Sequence, residues 1–507
     1  MFSRRLFLAS TGAALWVPGM ARAQSDKYHF TLGVASGVPR ETSVLLWTRL
    51  APEPLKGGGM ARGLTTVRYR VCRDEMMRDE VRTGVVNTSH VKGHSIHLHV
   101  GGLAPGREYF YQFYFGEDES PIGRTRTSDR SAAEARLALA NCQAWETGRY
   151  AAYRDIAEWA PDAVIHVGDY IYEGGIGTLR SVRPDNIEDA VAYDVVRQHN
   201  SAEIVSLYDY RNRYALYRSD PHLQAAHAAA PWLVAMDDHE VDNNWASLTP
   251  QDPEKQTPQE FALRRQAAFQ AFYEHMPIEL PPGVSGLQMY GAYRFGPAQV
   301  NLLDTRQHRS DQVCGGGFPG ADACDALADK GRTMTGAAQE AWLLDQLKSS
   351  DARYNVIAQQ TWFAPFTYEE TANGPARNMD QWDGYPVQRQ RLIDAMAQDV
   401  SNPVILSGDW HSAAAMNVHR DPDRPKGAPI AHNFAATSIS SVCSWSPRLE
   451  KARDLNPHAK YVNGRARGYL QCTAGAKDWQ ATFRTVEKVT DPDSPVNTDV
   501  EMRLKDM

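Results

Sequence analysis

The sequence predicts an α/β protein: a layered β-sheet/helix domain over about 135–490, preceded by a small β-sandwich domain over 28–130. Three observations predict it. Residues 28–130 hold short, regularly spaced apolar runs with turn residues between them, the pattern of a sandwich. After residue 135, short apolar runs alternate with helix-like segments, which argues for strands and helices in layers. Four of those later runs end in side chains able to bind a metal.

The chain has 507 residues, enough for a large core and two or three domains. A net charge of −7 gives neither nucleic acid nor an anionic membrane any electrostatic advantage as a partner. After the N-terminus no apolar run is long enough to span a bilayer.

The N-terminus reads as a targeting segment over 1–23. Ser3-Arg4-Arg5-Leu6-Phe7-Leu8 precedes an apolar stretch, and Ala21-Arg22-Ala23 offers a small-x-small cleavage site. This is the pattern of a twin-arginine signal peptide, which predicts export of the folded protein to the periplasm or medium. An exported chain can form disulfides, and there are six cysteines. Cys314 and Cys324 flank a glycine-rich loop and predict a local bridge. Cys443 with Cys472 is the weaker candidate pair.

In the first domain, Ser43-Val44-Leu45-Leu46-Trp47-Thr48 reads as a strand, and Thr66-Val67-Arg68-Tyr69-Arg70-Val71 alternates with period two. His94-Ser95-Ile96-His97-Leu98-His99-Val100 alternates likewise. Leu103-Ala104-Pro105-Gly106 leads into Tyr109-Phe110-Tyr111, and the whole resembles the tyrosine-corner region of fibronectin type III modules. The domain contains no titratable cluster and reads as packing and shielding.

The second domain opens with Leu137-Ala138-Leu139-Ala140, a strand ending at Asn141-Cys142-Gln143. A helix over 150–159 stops at Pro161. Ala163-Val164-Ile165-His166-Val167 is a second buried strand, whose end delivers Gly168-Asp169 and, three residues on, Tyr172. One or two helices fill 203–230. Trp232-Leu233-Val234-Ala235-Met236 ends in Asp237-Asp238-His239-Glu240. Helices are expected over 259–276, 336–348 and 387–397, a hairpin over 288–304, and a strand over 354–360. Pro403-Val404-Ile405-Leu406-Ser407 ends in Gly408-Asp409-Trp410-His411. The last residues, 491–507, are charged and read as a frayed tail.

Open α/β sheets place ligands at the carboxyl ends of their strands. Cys142, Asp169, Tyr172, Asp238, Asp409 and His411 would all meet there. Buried carboxylates, a phenolate and a thiolate repel one another, and a bound cation relieves the repulsion. Each residue alone has a plainer reading: a cap, a turn residue, or a small buried hydrophobe. Their conjunction after four strand-like runs points to metal. A shared carboxylate such as Asp169 suits a bridge between two ions. Tyrosinate and thiolate suit ferric iron, and all-oxygen sites suit calcium, magnesium or manganese. Two such ions would activate a water and clamp a phosphoryl group.

In this order the motifs resemble those of the calcineurin-like metallophosphoesterases. Their first motif is replaced here around Cys142. Gly168-Asp169 matches the second, with Tyr172 where purple acid phosphatases carry an iron-binding tyrosine. In the third, Asp238 stands where the pattern has asparagine, and in the last Asp409 replaces a histidine. With the twin-arginine segment and the β domain, these departures resemble the alkaline phosphatase D family over essentially the whole mature chain.

The resemblance implies a metallophosphoesterase-type fold and an exported hydrolase of phosphomonoesters, and of phosphodiesters as well, using Fe3+ and Ca2+. It implies iron held by Cys142, Asp169, Tyr172 and His411, and calcium held by Asp169, Asp238 and Asp409. A metal-activated hydroxide would attack phosphorus, with His239 serving the reacting phosphate. Arg180 would contact phosphate, with Arg183 as competitor, and Asn243 or Asn244 would offer a neutral oxygen. A phospholipase D-type diesterase on the same scaffold is the alternative, with phospholipid or cell-wall phosphodiesters as substrates. A non-catalytic binding module is the reading from a different class. Two points stay open. Arg306 and Arg309 either face phosphate or hold a loop by ion pairing, the latter preferred. Trp382, Tyr385 and Trp410 either wall the cleft or pack the core.

Overall fold

The structure is a computed structural model; it describes residues 28–175, 180–184, 189–279, 283, 286–316, 320–398 and 400–507. The predicted targeting segment, 1–23, lies outside the described residues.

Two large sheets face each other. The first has nine strands in the order Val496–Arg503, Trp479–Val486, Arg467–Ala474, Ala135–Ala140, Ala163–His166, Pro231–Val234, Val34–Gly37, Ser43–Arg49 and Ser95–Gly101. The second has seven: Gly291–Phe295, Ala298–Leu302, Tyr354–Ala358, Pro403–Ser407, Ala431–Ala435, Ala413–Val418 and Ala459–Asn463. Within each sheet a central group runs parallel. Ala163–His166 pairs in parallel with Ala135–Ala140 and with Pro231–Val234. Ala298–Leu302, Tyr354–Ala358, Pro403–Ser407 and Ala431–Ala435 pair in parallel in turn.

The apolar runs explain this layering. In a strand, alternate side chains point to opposite faces, and a central parallel strand is covered on both. Leu137, Leu139, Ile165, Leu233, Val356, Val404 and Leu406 fill the layer between the sheets. Their alternates face outward. Val164, Trp232 and Val234 pack under the helices Ala151–Trp159, Leu207–Arg218, Pro221–Ala229 and Pro258–His275. Ile357 and Ile405 pack under Gly336–Ser349 and Pro386–Met396. The result is four layers, helix–sheet–sheet–helix. Helix starts follow local chemistry: Ser206 with Asp209 and Thr257 with Glu260 form capping boxes, and Asp220 caps the helix that begins at Pro221.

In the N-terminal region a five-stranded sheet, which includes Leu64–Cys72, Glu80–Ser89 and Glu108–Phe115, packs over Val34–Gly37, Ser43–Arg49 and Ser95–Gly101. That second layer is continuous with the nine-stranded sheet, because Ser36 and Gly37 pair in parallel with Pro231 and Trp232. The sandwich and the catalytic layers therefore share a sheet. The Tyr109 hydroxyl accepts the Ala104 amide proton at 2.8 Å, the bond that defines a tyrosine corner.

Two expectations are corrected. The C-terminal segment is not a frayed tail: Val496–Arg503 is the edge strand of the large sheet, paired with Trp479–Val486. Its charges face out, while Val500, Met502, Leu504 and Met507 pack against the inter-sheet core. Cys443 and Cys472 are unbridged and buried in different layers, Cys472 between the sheets and Cys443 beneath the outer helices. The Cys314–Cys324 disulfide is present.

Candidate metal centre

The parallel strands of both sheets end at one rim, and there the site is built. Cys142 follows Ala135–Ala140, Asp169 follows Ala163–His166, and Asp237 and Asp238 follow Pro231–Val234. From the facing sheet, Asp409 and His411 follow Pro403–Ser407. The turns that present them are strained. Cys142, Asp169, Asp409 and His411 all have positive φ, at 53°, 55°, 61° and 48°. Such conformations cost side-chain-bearing residues on the order of 1–3 kcal/mol each and concentrate at functional sites.

Hydrogen bonds fix the turns to one another. The amides of Cys142 and Gln143 donate to the carbonyls of Gly168 and Asp169, at 3.1 and 3.0 Å. Glu240 sits behind, accepting the amides of Asp169, Tyr170 and Asp237 at 3.1, 2.6 and 2.9 Å. Burial pushes its carboxyl up to about 7, against those three amides. It is therefore a staple between two strand ends rather than part of the open cluster.

Three overlapping groups of donor atoms result, each with all its atoms within 4.8 Å of one another: Cys142, Asp169 and His411; Asp169, Asp238 and His239; Asp237, Asp238 and Asp409. Asp169 belongs to two of them. The Tyr172 hydroxyl joins the first, 2.9 Å from Asp169 Oδ2 and 3.1 Å from His411 Nε2. His411 gives its Nδ1 proton to the Val442 carbonyl at 2.8 Å, which leaves Nε2 free to face the cluster. His239 gives Nδ1 to Glu173 Oε2 at 2.6 Å. Its ring lies over Tyr172, with centroids 4.2 Å apart.

The electrostatics are those of crowded, buried acids. Burial and then Asp169 push the Cys142 thiol well up, and the same two causes push up the Tyr172 phenol. Burial lifts Asp169 far above the carboxylate range, with His239 opposing, and lifts Asp409 to about 6, with Arg306 opposing. Asp237 Oδ2 and Asp238 Oδ1 are buried without a hydrogen-bond partner. Buried carboxylate oxygens without donors are costly, and a cation among them removes the cost. The donor set and its orphaned oxygens thus fit metal ions.

Arginines bring positive charge to the rim. Arg306, completely buried, donates from Nε to Asp237 at 2.5 Å and from Nη1 to Asp380 at 3.0 Å. Its Nη2 lies 3.5 Å from Asp409 and 3.7 Å from Asp238. Arg309 also pairs with Asp380. Both arginines therefore form ion pairs that hold the rim together, as preferred. Trp382, Tyr385 and Trp410 lie in the core under the outer helices. Asn243 and Asn244 enter through their backbone amides, to Glu173 and Asp238 at 2.9 and 2.7 Å. Arg180 is exposed at the start of a short ribbon outside the buried cluster, and Arg183 is exposed as well.

The structure gives parts to residues that sequence reasoning assigned none. Asp237 shares the third group with Asp238 and Asp409. Glu173, the end of the Gly168-Asp169 stretch, orients His239. Gln381 donates to Asp409, and Asp380 gathers both arginines. Ser441 lies 2.6 Å from the Tyr172 oxygen. Only Asp237 and Glu173 stood next to a recognisable motif; the others come from loops with no local signature.

The profile of the family described as "PhoD-like phosphatase" matches residues 137–483, and that of "PhoD-like phosphatase, N-terminal domain" matches residues 16–129. The chain belongs to the PhoD-like phosphatase family. It is 40% identical to the alkaline phosphatase D of Bacillus subtilis (strain 168), over 98% of this chain and 86% of that protein. A solved structure described as "Structure of PhoD" superposes with a TM-score of 0.87 at 40% identity, over 94% of this chain and 90% of the other. As a PhoD-like phosphatase the chain is a hydrolase of phosphoric esters, and its cluster of donor atoms accords with the metal dependence that this membership suggests. Among the described residues no helix is long and apolar enough to cross a membrane.

Proposed function

We propose that this PhoD-like phosphatase is an exported enzyme that hydrolyses phosphomonoesters and phosphodiesters at a site holding ferric iron and calcium. The observation that carries the reading is Asp169, whose carboxylate belongs to two neighbouring groups of donor atoms. Cys142, Tyr172 and His411, with Asp169, would hold the ferric ion, since anionic phenolate and thiolate are strong donors to a trivalent iron. Asp169, Asp238 and Asp409 would hold calcium, a cation that takes oxygen ligands. When bound, such ions supply Lewis acidity that activates water and neutralises charge on the phosphoryl group.

The chain's own residues do the rest. Glu173 holds His239 by its Nδ1 at 2.6 Å and favours the charged imidazolium. Burial opposes that charge, while Glu173, which pairs directly with Nδ1, favours it. A protonated His239 can stabilise phosphate oxygens or give a proton to the leaving alkoxide. Arg180, exposed at the edge, would contact phosphate, with Arg183 the competitor. Export through the twin-arginine machinery rests on Arg4-Arg5 and the segment that follows them.

Elemental analysis of protein exported by its native route, with assays on a nitrophenyl phosphate, a bis-nitrophenyl phosphate and phosphatidylcholine, tests this reading. We expect iron and calcium, with turnover of the first two esters. Zinc without iron would overturn the metal assignment. Turnover of phosphatidylcholine in preference to both nitrophenyl esters would make the enzyme a phospholipase D-type diesterase.

A further inference from the structure

The segment 437–441 follows the strand Ala431–Ala435 of the second sheet and reaches across to the metal-facing turns of the first. The amide protons of Ser440 and Ser441 go to the Cys142 carbonyl, at 3.3 and 3.1 Å. The Ser441 hydroxyl lies 2.8 Å from that carbonyl, 2.6 Å from the Tyr172 oxygen, and accepts the Ala144 amide proton at 3.0 Å. One hydroxyl thus touches the backbone of one proposed iron ligand and the side chain of another.

The segment is itself rigidly held. Arg467 is buried and donates from Nη1 to the Ser441 carbonyl and the Ser438 hydroxyl, both at 2.7 Å, and to the His411 carbonyl at 2.5 Å. Ser441 is 2% exposed, so water does not compete for its hydroxyl. Nothing in this loop's sequence, four hydroxyl residues around Ile439, explains such an anchorage. Packing alone would be served by alanine.

A tyrosine oxygen that ligates a metal carries no proton to donate. The hydrogen of the 2.6 Å contact must then be Ser441's. Ala144 already fills one lone pair of the serine oxygen, so the serine proton has two acceptors in reach, the Cys142 carbonyl and the Tyr172 oxygen. Donation to a ligating phenolate draws electron density away from the metal, and partners of this kind orient the ligand and tune the ion.

We propose that Ser441 is a positioning residue for the metal centre, donating a hydrogen bond to the Tyr172 oxygen and so setting both its orientation and its donor strength toward iron. The proposal rests on the reading of Tyr172 as a ferric ligand. Removing the donor raises the energy of the filled phenolate orbital and narrows its gap to the metal. The visible charge-transfer band therefore moves to longer wavelength; separately, loss of the bond that orients the phenolate weakens iron binding, by about 10–100-fold.

The test is the visible spectrum of the iron-loaded enzyme and its rate of iron loss to a chelator, for wild type, Ser441→Ala, Ser441→Thr and Tyr172→Phe. A red-shifted band and faster iron loss in Ser441→Ala, both restored in Ser441→Thr, support the proposal. An unshifted band in a folded, iron-loaded Ser441→Ala protein overturns it and leaves the Tyr172 assignment standing. A wild-type band that persists in Tyr172→Phe, or no band at all, overturns the Tyr172 assignment and the proposal with it. If Ser441→Ala does not fold, resonance Raman spectra of the wild type in H2O and D2O decide. A deuterium shift of the phenolate mode supports the hydrogen bond, and its absence overturns the proposal.

Discussion

A methyl group on Gly168 would lie 2.3 Å from both Cβ and the backbone nitrogen of Asp237. The two strand ends that carry Asp169 and Asp238 thus approach more closely than any side chain at 168 allows. Gly168 also has φ +107°, which L-residues rarely adopt. The glycine before Asp169 sets how near one carboxylate stands to the next.

Gly168→Ala is accordingly expected to force these turns apart. Melting temperature and bound metal should both fall, because the backbone of Asp237 cannot yield as a flexible side chain would. Retention of the full metal complement by a folded Gly168→Ala protein would show that this approach does not define the site.

His239 and Glu173 should act as one unit. His239→Ala is expected to lower kcat/KM by roughly 10²–10⁴-fold, the usual range for a group that moves or holds a proton. Glu173→Ala should lower it in the same direction by less, because the imidazole remains but loses its orientation. The double variant should be no worse than His239→Ala alone. Multiplicative losses in that cycle would mean that Glu173 acts independently.

Arg306 is the counter-charge for Asp237 and Asp380, and removing one partner of a buried pair leaves the other charged and unpaired. Arg306→Met should destabilise the protein by about 3–5 kcal/mol. Arg306→Lys should recover only part of that, since an ammonium cannot span the acids that this planar fork reaches. Chemical denaturation of the three proteins measures it; equal stability of the Met variant and wild type would refute the pairing.

Acid should destabilise the protein through buried imidazoles. His166 is 1% exposed, and its imidazole and that of His227 both stack on Trp232. Burial pulls His166 down to about 3, and burial followed by Arg218 lowers His227 well below its usual range. Unfolded, both bind protons near pH 6.5. Their contribution is complete above about pH 6.5 and is lost as pH falls toward 3, because only the unfolded chain takes up protons in that window. Each contributes at most about 1.4 kcal/mol per pH unit. His166→Gln should make the fall in melting temperature between pH 7 and pH 5 shallower; an unchanged slope would count against it.

Much of this was legible in the sequence because it is local. A strand buried on both faces needs a continuous apolar run, and a ligand at its end needs a polar residue where the run stops. Ala163-Val164-Ile165-His166-Val167-Gly168-Asp169 states both within seven residues. The disulfide between cysteines ten residues apart is local in the same way. Sequence alone therefore determined the layered α/β class, the strand ends that carry Cys142, Asp169, Asp238, Asp409 and His411, and the presence of Tyr172 beside them.

Only the tertiary structure decided what lies around those residues. Ser441 and Tyr172, or Arg306 and Asp237, meet across the gap between two sheets, at separations of 269 and 69 residues, and no local pattern encodes such a meeting. The C-terminal strand was misread for the same reason. Edge strands are half-exposed and charged, so Val496–Arg503 looks like a tail until its partner is known. The stretch around Asp169 named the chemistry by its residue types. Packing of the facing sheet brought His411 and Ser441 to Tyr172 and completed one of the two donor groups that share Asp169, because burial and hydrogen-bond satisfaction are properties of the whole fold.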